Sequence, residues 1–216
     1  MRDQLLGQAQ PMLSILLDPG ESVTGEASRF AWMTDSIEMA VLNESVLDER
    51  ALDERVSSER VSGERVLGEI EMCVYTATGE PGVVAFASQR PSDIVSVELG
   101  LRDEGYLFRP SDLMARTPGV EVGAGPSIPA EHGLALCRIG GSGRAWVGLA
   151  GDVVRRELTA GQSLRAHPGH VGMFSSTVAI QVTQVPGISS RSSGYPCAVL
   201  SGPGVVWLQS MPATKQ

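Results

Sequence analysis

The sequence contains almost no lysine: sixteen of its seventeen basic residues are arginine, and the only lysine is Lys215. No internal lysine is therefore available to form a Schiff base or to serve a phosphate-binding loop. Aromatic residues make up 5% of the chain, histidines number three, and the three cysteines at 73, 137 and 197 are too few and too widely spaced for a disulfide framework. Reduced, buried thiols are expected instead. No Gly-x-Ser-x-Gly nucleophile elbow occurs, and Ser175-Ser176 and Ser189-Ser190-Arg191 lie in stretches that read as turns. Nor is there a long apolar run. Met12–Leu17 is interrupted by Ser14 and stopped by Asp18-Pro19-Gly20, which is too short for the hydrophobic part of a signal peptide, and no later run approaches a membrane span. The expectation is a cytoplasmic protein with no integral membrane segment.

Glycine and proline are abundant, at 25 and 13 residues in a chain of 216. They punctuate a 42% hydrophobic sequence so closely that many short strands joined by tight turns are expected, rather than long helices. The net charge is −8, but residues 44–71 hold nine acids against four arginines, leaving about −3 for the rest of the chain. Because phosphate contacts need clustered positive charge, the lack of any basic stripe argues against a nucleic-acid partner.

Residues 46–69 run VLDER, ALDER, VSSER, VSGER, VLGEI. A five-residue period matches neither the helical nor the strand repeat, so this run is read as a solvated, charged insertion at about 44–69. Around it the sequence repeats itself. Gly141-Ser142-Gly143-Arg144-Ala145-Trp146 returns as Gly202-Pro203-Gly204-Val205-Val206-Trp207, and more loosely as Gly79-Glu80-Pro81-Gly82-Val83-Val84-Ala85-Phe86. The last glycines, Gly82, Gly143 and Gly204, are 61 residues apart. Likewise Leu17-Asp18-Pro19-Gly20-Glu21-Ser22-Val23 is matched by Leu158-Thr159-Ala160-Gly161-Gln162-Ser163-Leu164, with Gly20 and Gly161 at the turn position that requires positive φ. A degenerate third relative runs from Val97 to Phe108. Each unit is closed by an apolar cluster: Ala31-Trp32-Met33, Leu113-Met114-Ala115 or Val171-Gly172-Met173-Phe174.

The expected architecture is all-β, built from tandem related antiparallel sandwich units that pack as one body. Its division is placed at 1–125, carrying the charged insertion, and 126–216. In the central stretch, alternation sends Trp146 to one sheet face and Val147 to the other, with both faces buried. Gly143 and Gly204 are read as structural glycines, because Trp146 stands where a dinucleotide loop needs its third glycine.

Candidate chemistry is sparse. His167-Pro168-Gly169-His170 could present two imidazoles across a turn, but no third metal ligand sits at a recognisable spacing. His132 reads as an exposed loop residue, and the carboxylates Asp93, Glu98, Asp152 and Glu157 read as solvated strand positions. No catalytic residue and no cofactor are expected.

Leu17–Val23, Ala31-Trp32-Met33, Gly79–Ala87, Gly148–Val153 and Leu200–Ser210 together resemble the altered-inheritance-of-mitochondria protein 24 family, whose bacterial members form a domain of unknown function. The resemblance spans about residues 12–212. It implies a β fold similar to tandem copies of the tryptophan RNA-binding attenuation protein, or like a double-stranded β-helix, packed as sandwiches and often in an oligomer. Mitochondrial relatives are associated with inner-membrane organisation and respiratory-complex integrity, and no catalytic residues come with the family. The pentapeptide run stands in place of a shorter Gly-rich linker.

The expected function is a non-enzymatic, self-associating scaffold or interaction module, with a homo-oligomer as its form and an unidentified protein as a further partner. The alternative is a small-molecule or metal-binding β-sandwich, similar to cupin-type barrels, using His167 and His170.

Overall fold

The computed structural model describes residues 1–42, 71–100, 104–126, 128, 134–185 and 194–213. The protein is all-β. Among the described residues the helical elements are three single 3-10 turns, Ala27–Arg29, Pro110–Asp112 and Pro168–His170. The charged pentapeptide run lies outside the described residues.

Strand β1 (Arg2–Leu6) is followed by β2 (Met12–Leu17), β3 (Ser22–Glu26), β4 (Phe30–Met33), β5 (Ile37–Leu42), β6 (Met72–Ala77) and β7 (Gly82–Ala87). Next come β8 (Ser92–Leu99), β9 (Tyr106–Phe108), β10 (Leu113–Arg116), β11 (Val120–Ala124), β12 (Cys137–Gly141) and β13 (Gly143–Ala150). The chain closes with β14 (Val153–Leu158), β15 (Ser163–Ala166), β16 (Val171–Ser175), β17 (Ala179–Val185), β18 (Tyr195–Ser201) and β19 (Gly204–Gln209).

One antiparallel pairing scheme is drawn three times. The first, last and third strands of each set pair as β2–β7–β4, β8–β13–β10 and β14–β19–β16. The second, fifth and fourth pair as β3–β6–β5, β9–β12–β11 and β15–β18–β17. Neighbouring sets are stitched by β3–β10 and β9–β16, which merge the half-sheets into two six-stranded sheets. The expected division at 125/126 can be placed on this scheme. It falls between β11 and β12, which pair from Val120–Gly141 to Ala124–Cys137, so it would cut through a hairpin of the middle set.

The turns follow local chemistry. Gly20 and Gly161 have φ of +85° and +83° with no atom near a would-be Cβ, so conformation alone selects glycine there. Gly82 is different: its φ is not positive, but the Ile37 side chain lies 2.5 Å from where a Cβ would stand. Gly143 and Gly204 combine both demands, with φ of +136° and +145° and the Thr117 and Thr177 hydroxyls at 2.1 and 2.6 Å from a would-be Cβ.

Strand alternation divides β13 between two cores. Trp146 joins Leu13, Ile15, Tyr75 and Phe86, while Ala145, Val147 and Leu149 join Phe108, Ile139 and Met173. A third cluster holds Leu158, Phe174, Leu200 and Val206. Strand β1 covers the edge of β2, anchored by Asp3, which accepts from Trp146 Nε1 at 3.0 Å and pairs with Arg144.

The cysteines are unpaired: Cys73 and Cys137 are buried, Cys197 half-buried. Burial pushes the Cys137 thiol up to about 12 and also raises that of Cys73, where Glu71 adds to the effect. Because the thiolate is the reactive form, Cys197 is expected to be the only one alkylated by iodoacetamide in the native protein at pH 8. Mass mapping that finds Cys137 modified at a comparable rate would contradict this packing.

Candidate self-association surface

The two stitches between sets share a plan. At the first, Gly25 lies opposite Ala115 and Thr24 opposite Arg116. At the second, Phe108 lies opposite Met173, Leu107 opposite Phe174 and Tyr106 opposite Ser175. At each, a buried guanidinium from the leading set donates to backbone carbonyls at the 3-10 turn that leads into the third strand of the following set. Arg29 reaches Ser111 O, held by Glu26 at 2.6 Å. Arg109 donates to Val171 O at 2.6 Å and Pro168 O at 2.7 Å.

These charges are balanced locally. Burial lowers the Arg109 pKa, and Asp112 beside it works the other way. Burial pushes the fully enclosed Asp112 carboxyl up, against the pull of Arg90, Arg109 and Arg29. Arg90 meets it at 2.5 Å. Sequence reading had missed these residues, since isolated charges beside a turn show no periodicity. Their signal is positional: each apolar closing cluster follows a short polar turn, ending in Arg29, Asp112 or His170.

The sets also lend side chains to one another. Ile94, Met114 and Trp146 of the middle set complete the first core. Val153, Met173 and Trp207 of the last set pack on the second. An irregularity in β4, β10 and β16, at Phe30/Trp32, Leu113/Ala115 and Val171/Met173, lets neighbouring residues face one side.

At the two ends of the array this plan stops halfway. Among the described residues β4 pairs only with β7, and β15 only with β18. Trp32 is 40% exposed, whereas Ala115 and Met173, at the same place in β10 and β16, are fully buried. Ala31 is exposed where Met114 and Gly172 are buried. At the other end, Leu164, Ala166, Ile180 and Val182 pack on the third core but remain only partly covered.

Most other sequence candidates have structural duties. Trp207 is half-buried, with Tyr106 edge-on at 5.6 Å and the Arg155 guanidinium 5.9 Å above its ring. The Ser175 hydroxyl accepts from Val205 N, and that of Ser176 donates to Glu104 O. Glu98 pairs with Arg144, and Glu157 with Arg155 at 3.7 Å. Asp93 and Asp152 do come together, lining one shallow cleft with Ser210 and Met211. His132 and Ser189-Ser190-Arg191 lie outside the described residues.

The structure also brings His167 and His170 together, with ring centroids 5.9 Å apart and Tyr195 beside His167 at 5.4 Å. Gly169 N donates to His167 Nδ1 at 3.1 Å, and His170 Nδ1 donates to Gln209 O at 2.9 Å. Among the described residues no group of three or more His, Cys, Asp or Glu side chains could hold a metal ion. Nor is any helix among them long and apolar enough to cross a membrane.

The family model described as mitochondrial biogenesis AIM24 matches residues 4–211. No curated protein matches this sequence. The fold is similar to the X-ray structure of protein SPYM3_0169 from Streptococcus pyogenes, at 17% identity and a TM-score of 0.72, over 98% of this chain and 94% of that one.

Proposed function

The chain belongs to the mitochondrial biogenesis AIM24 family, and we propose that it is a non-enzymatic, self-associating β scaffold whose copies join head to tail. One observation carries this reading: the open β4 and β15 edges are the two halves of a stitch the chain already makes twice, at β3–β10 and β9–β16. In this reading the chain is a tandem of three related units. The edge β15 of one copy continues into β4 of the next. Transferring the register of the internal stitches sets Trp32 opposite Ala166, Met33 opposite Arg165 and Thr34 opposite Leu164.

The physical drive is twofold. Unpaired edge strands offer rows of backbone donors and acceptors that favour pairing. The apolar outer face of the first set, where Ala31 and Trp32 are exposed, supplies what the third core lacks. A joint of this kind is heterologous, so it closes into a ring or extends, according to its rotation. Free cysteines suit a reducing compartment, and the cytoplasm is the setting we assign.

Sedimentation velocity at micromolar concentration tests this. The protein is expected to sediment as a discrete oligomer, and Trp32→Glu to reduce it to monomer, an effect of at least tenfold on the dissociation constant for a central aromatic anchor. Because Trp32 is exposed in the single chain, the variant's thermal midpoint should stay within a few degrees of that of a wild-type sample diluted to monomer. A wild-type protein that is monomeric at these concentrations rules the reading out.

A further inference from the structure

Strands β2, β8 and β14 open the three sets, and each has one side turned away from its sheet. Along β2 that side is taken by β1, in register from Arg2–Leu16 to Leu6–Met12. Its counterparts are uncovered. Among the described residues β14 pairs only with β19, and β8 only with β13 apart from a bridge between Ser92 and Gly151 at its start. Such an edge presents unpaired backbone donors and acceptors to an extended chain.

The covering strand does more than pair. Asp3 stands opposite Ile15, which is fully buried in the first core, and its carboxylate accepts from Trp146 Nε1 at 3.0 Å while pairing with Arg144. The tryptophan at this margin is wholly enclosed. One set further on, the same surroundings recur without the strand. Leu17 and Leu99 lie opposite Gly82 and Gly143, so Val97 holds in β8 the place that Ile15 holds in β2. Trp207 has the place of Trp146 and packs on the cluster that contains Val97 and Leu99. Yet Trp207 is only half-buried, and among the described residues nothing accepts from its Nε1. A cation is again at hand: Arg155 lies directly opposite Trp207, its guanidinium 5.9 Å from the ring centroid.

We propose that the β8 edge docks an extended segment of a partner protein, one that carries an acidic residue with an aliphatic residue two places on, as Asp3 and Leu5 stand in β1. The segment pairs antiparallel with β8 and sets its carboxylate opposite Val97, facing Trp207 and Arg155. Backbone bonds along the edge supply affinity and alternate side chains supply selectivity, the usual division in strand addition. The carboxylate is the selective element, because a hydrogen bond to a charged acceptor is about twice as strong as a neutral one. The acids already nearby do not take its place. Glu157 meets Arg155 at 3.7 Å, but both side chains are more than half exposed and such a pair is weak. Asp93 shares the face of Val97 but stands at the start of the strand, and Glu98 turns to the opposite face, where it pairs with Arg144. The β8 edge is distinct from the β4 and β15 edges, so this docking is independent of head-to-tail joining.

Calorimetric titration and hydrogen-exchange mass spectrometry on the full chain test this, with the end-capped peptide RDQLLG, the sequence of residues 2–7, as the probe. The peptide is expected to bind once per chain, to slow exchange in β8 and to leave β1 and β2 unchanged. Asparagine in place of the peptide's aspartate is expected to weaken binding about tenfold, as are Trp207→Phe and Arg155→Gln in the protein, both checked for folding by circular dichroism. No binding at millimolar peptide, binding indifferent to the aspartate, or binding that displaces β1 from β2 overturns the inference. So does β8 protection that rises with protein concentration in the absence of peptide, which would assign the edge to a second copy. None of these outcomes touches the β4–β15 joint, which sedimentation reads separately.

Discussion

Trp146→Ala is expected to lower stability by about 3–5 kcal/mol, the usual range for truncating a fully buried tryptophan. In a protein of this size that corresponds to a fall of roughly 6–20 °C in the thermal midpoint. The loss has three parts. The indole is wholly enclosed in the first core, although its strand belongs to the middle set. Removing it leaves a cavity against Leu13, Ile15 and Phe86 that a well-packed β interior collapses into only partly. It also leaves Asp3, whose carboxylate accepts from the indole Nε1, held by Arg144 alone, and so loosens β1. Calorimetry should register the drop, and amide exchange should show β1 opening first. Trp207→Ala, at the same place in β19, should cost less, since that ring is only half-buried. Equal losses at the two positions would contradict the account of β13 as a strand buried on both faces.

Arg109→Met is expected to be comparably severe, at about 3–5 kcal/mol, because removing one member of a buried charged network leaves the others uncompensated. The guanidinium is 8% exposed and satisfies Pro168 O and Val171 O. Without it, Asp112 keeps Arg90 but loses the second cation beside it, and two carbonyls of the next set are left buried. Methionine fills much of the volume, so the loss measured by chemical denaturation reports the missing charge and hydrogen bonds rather than a void. Arg109→Lys should recover only part of it, since one ammonium on a shorter reach cannot reproduce the two-pronged contact. A fully stable Arg109→Met protein would mean that the β9–β16 stitch is held by its backbone pairing and apolar contacts alone.

Much of this architecture was legible in the residues. The 61-residue spacing of Gly82, Gly143 and Gly204 lands on the first residues of β7, β13 and β19. The three apolar closing clusters fall on β4, β10 and β16. Gly20 and Gly161 occupy the positive-φ turns that their neighbours demanded. These signals are local: a turn's φ, a strand's alternation and a glycine's small size act over a few residues and leave a mark at a fixed spacing. The expected division at 125/126 falls inside a hairpin of the middle set, where such local marks are sparse. A hairpin such as β11–β12, with 12 residues between its strands, is marked by no short turn signal.

What the sequence determined by itself is the all-β class, the punctuation by glycine and proline, the dual burial of β13 and the family resemblance. What only the tertiary structure decided is which sets share a core and where sharing stops. That Trp146 fills the core of the preceding set, that Arg29 and Arg109 reach into the next turn, and that Trp32 is left exposed where Ala115 and Met173 are buried all depend on pairings between distant strands. The physical reason is that burial is a property of the assembled surface. The same apolar position reads identically in β4, β10 and β16, and only the presence or absence of a neighbouring strand makes it a core residue or an open edge.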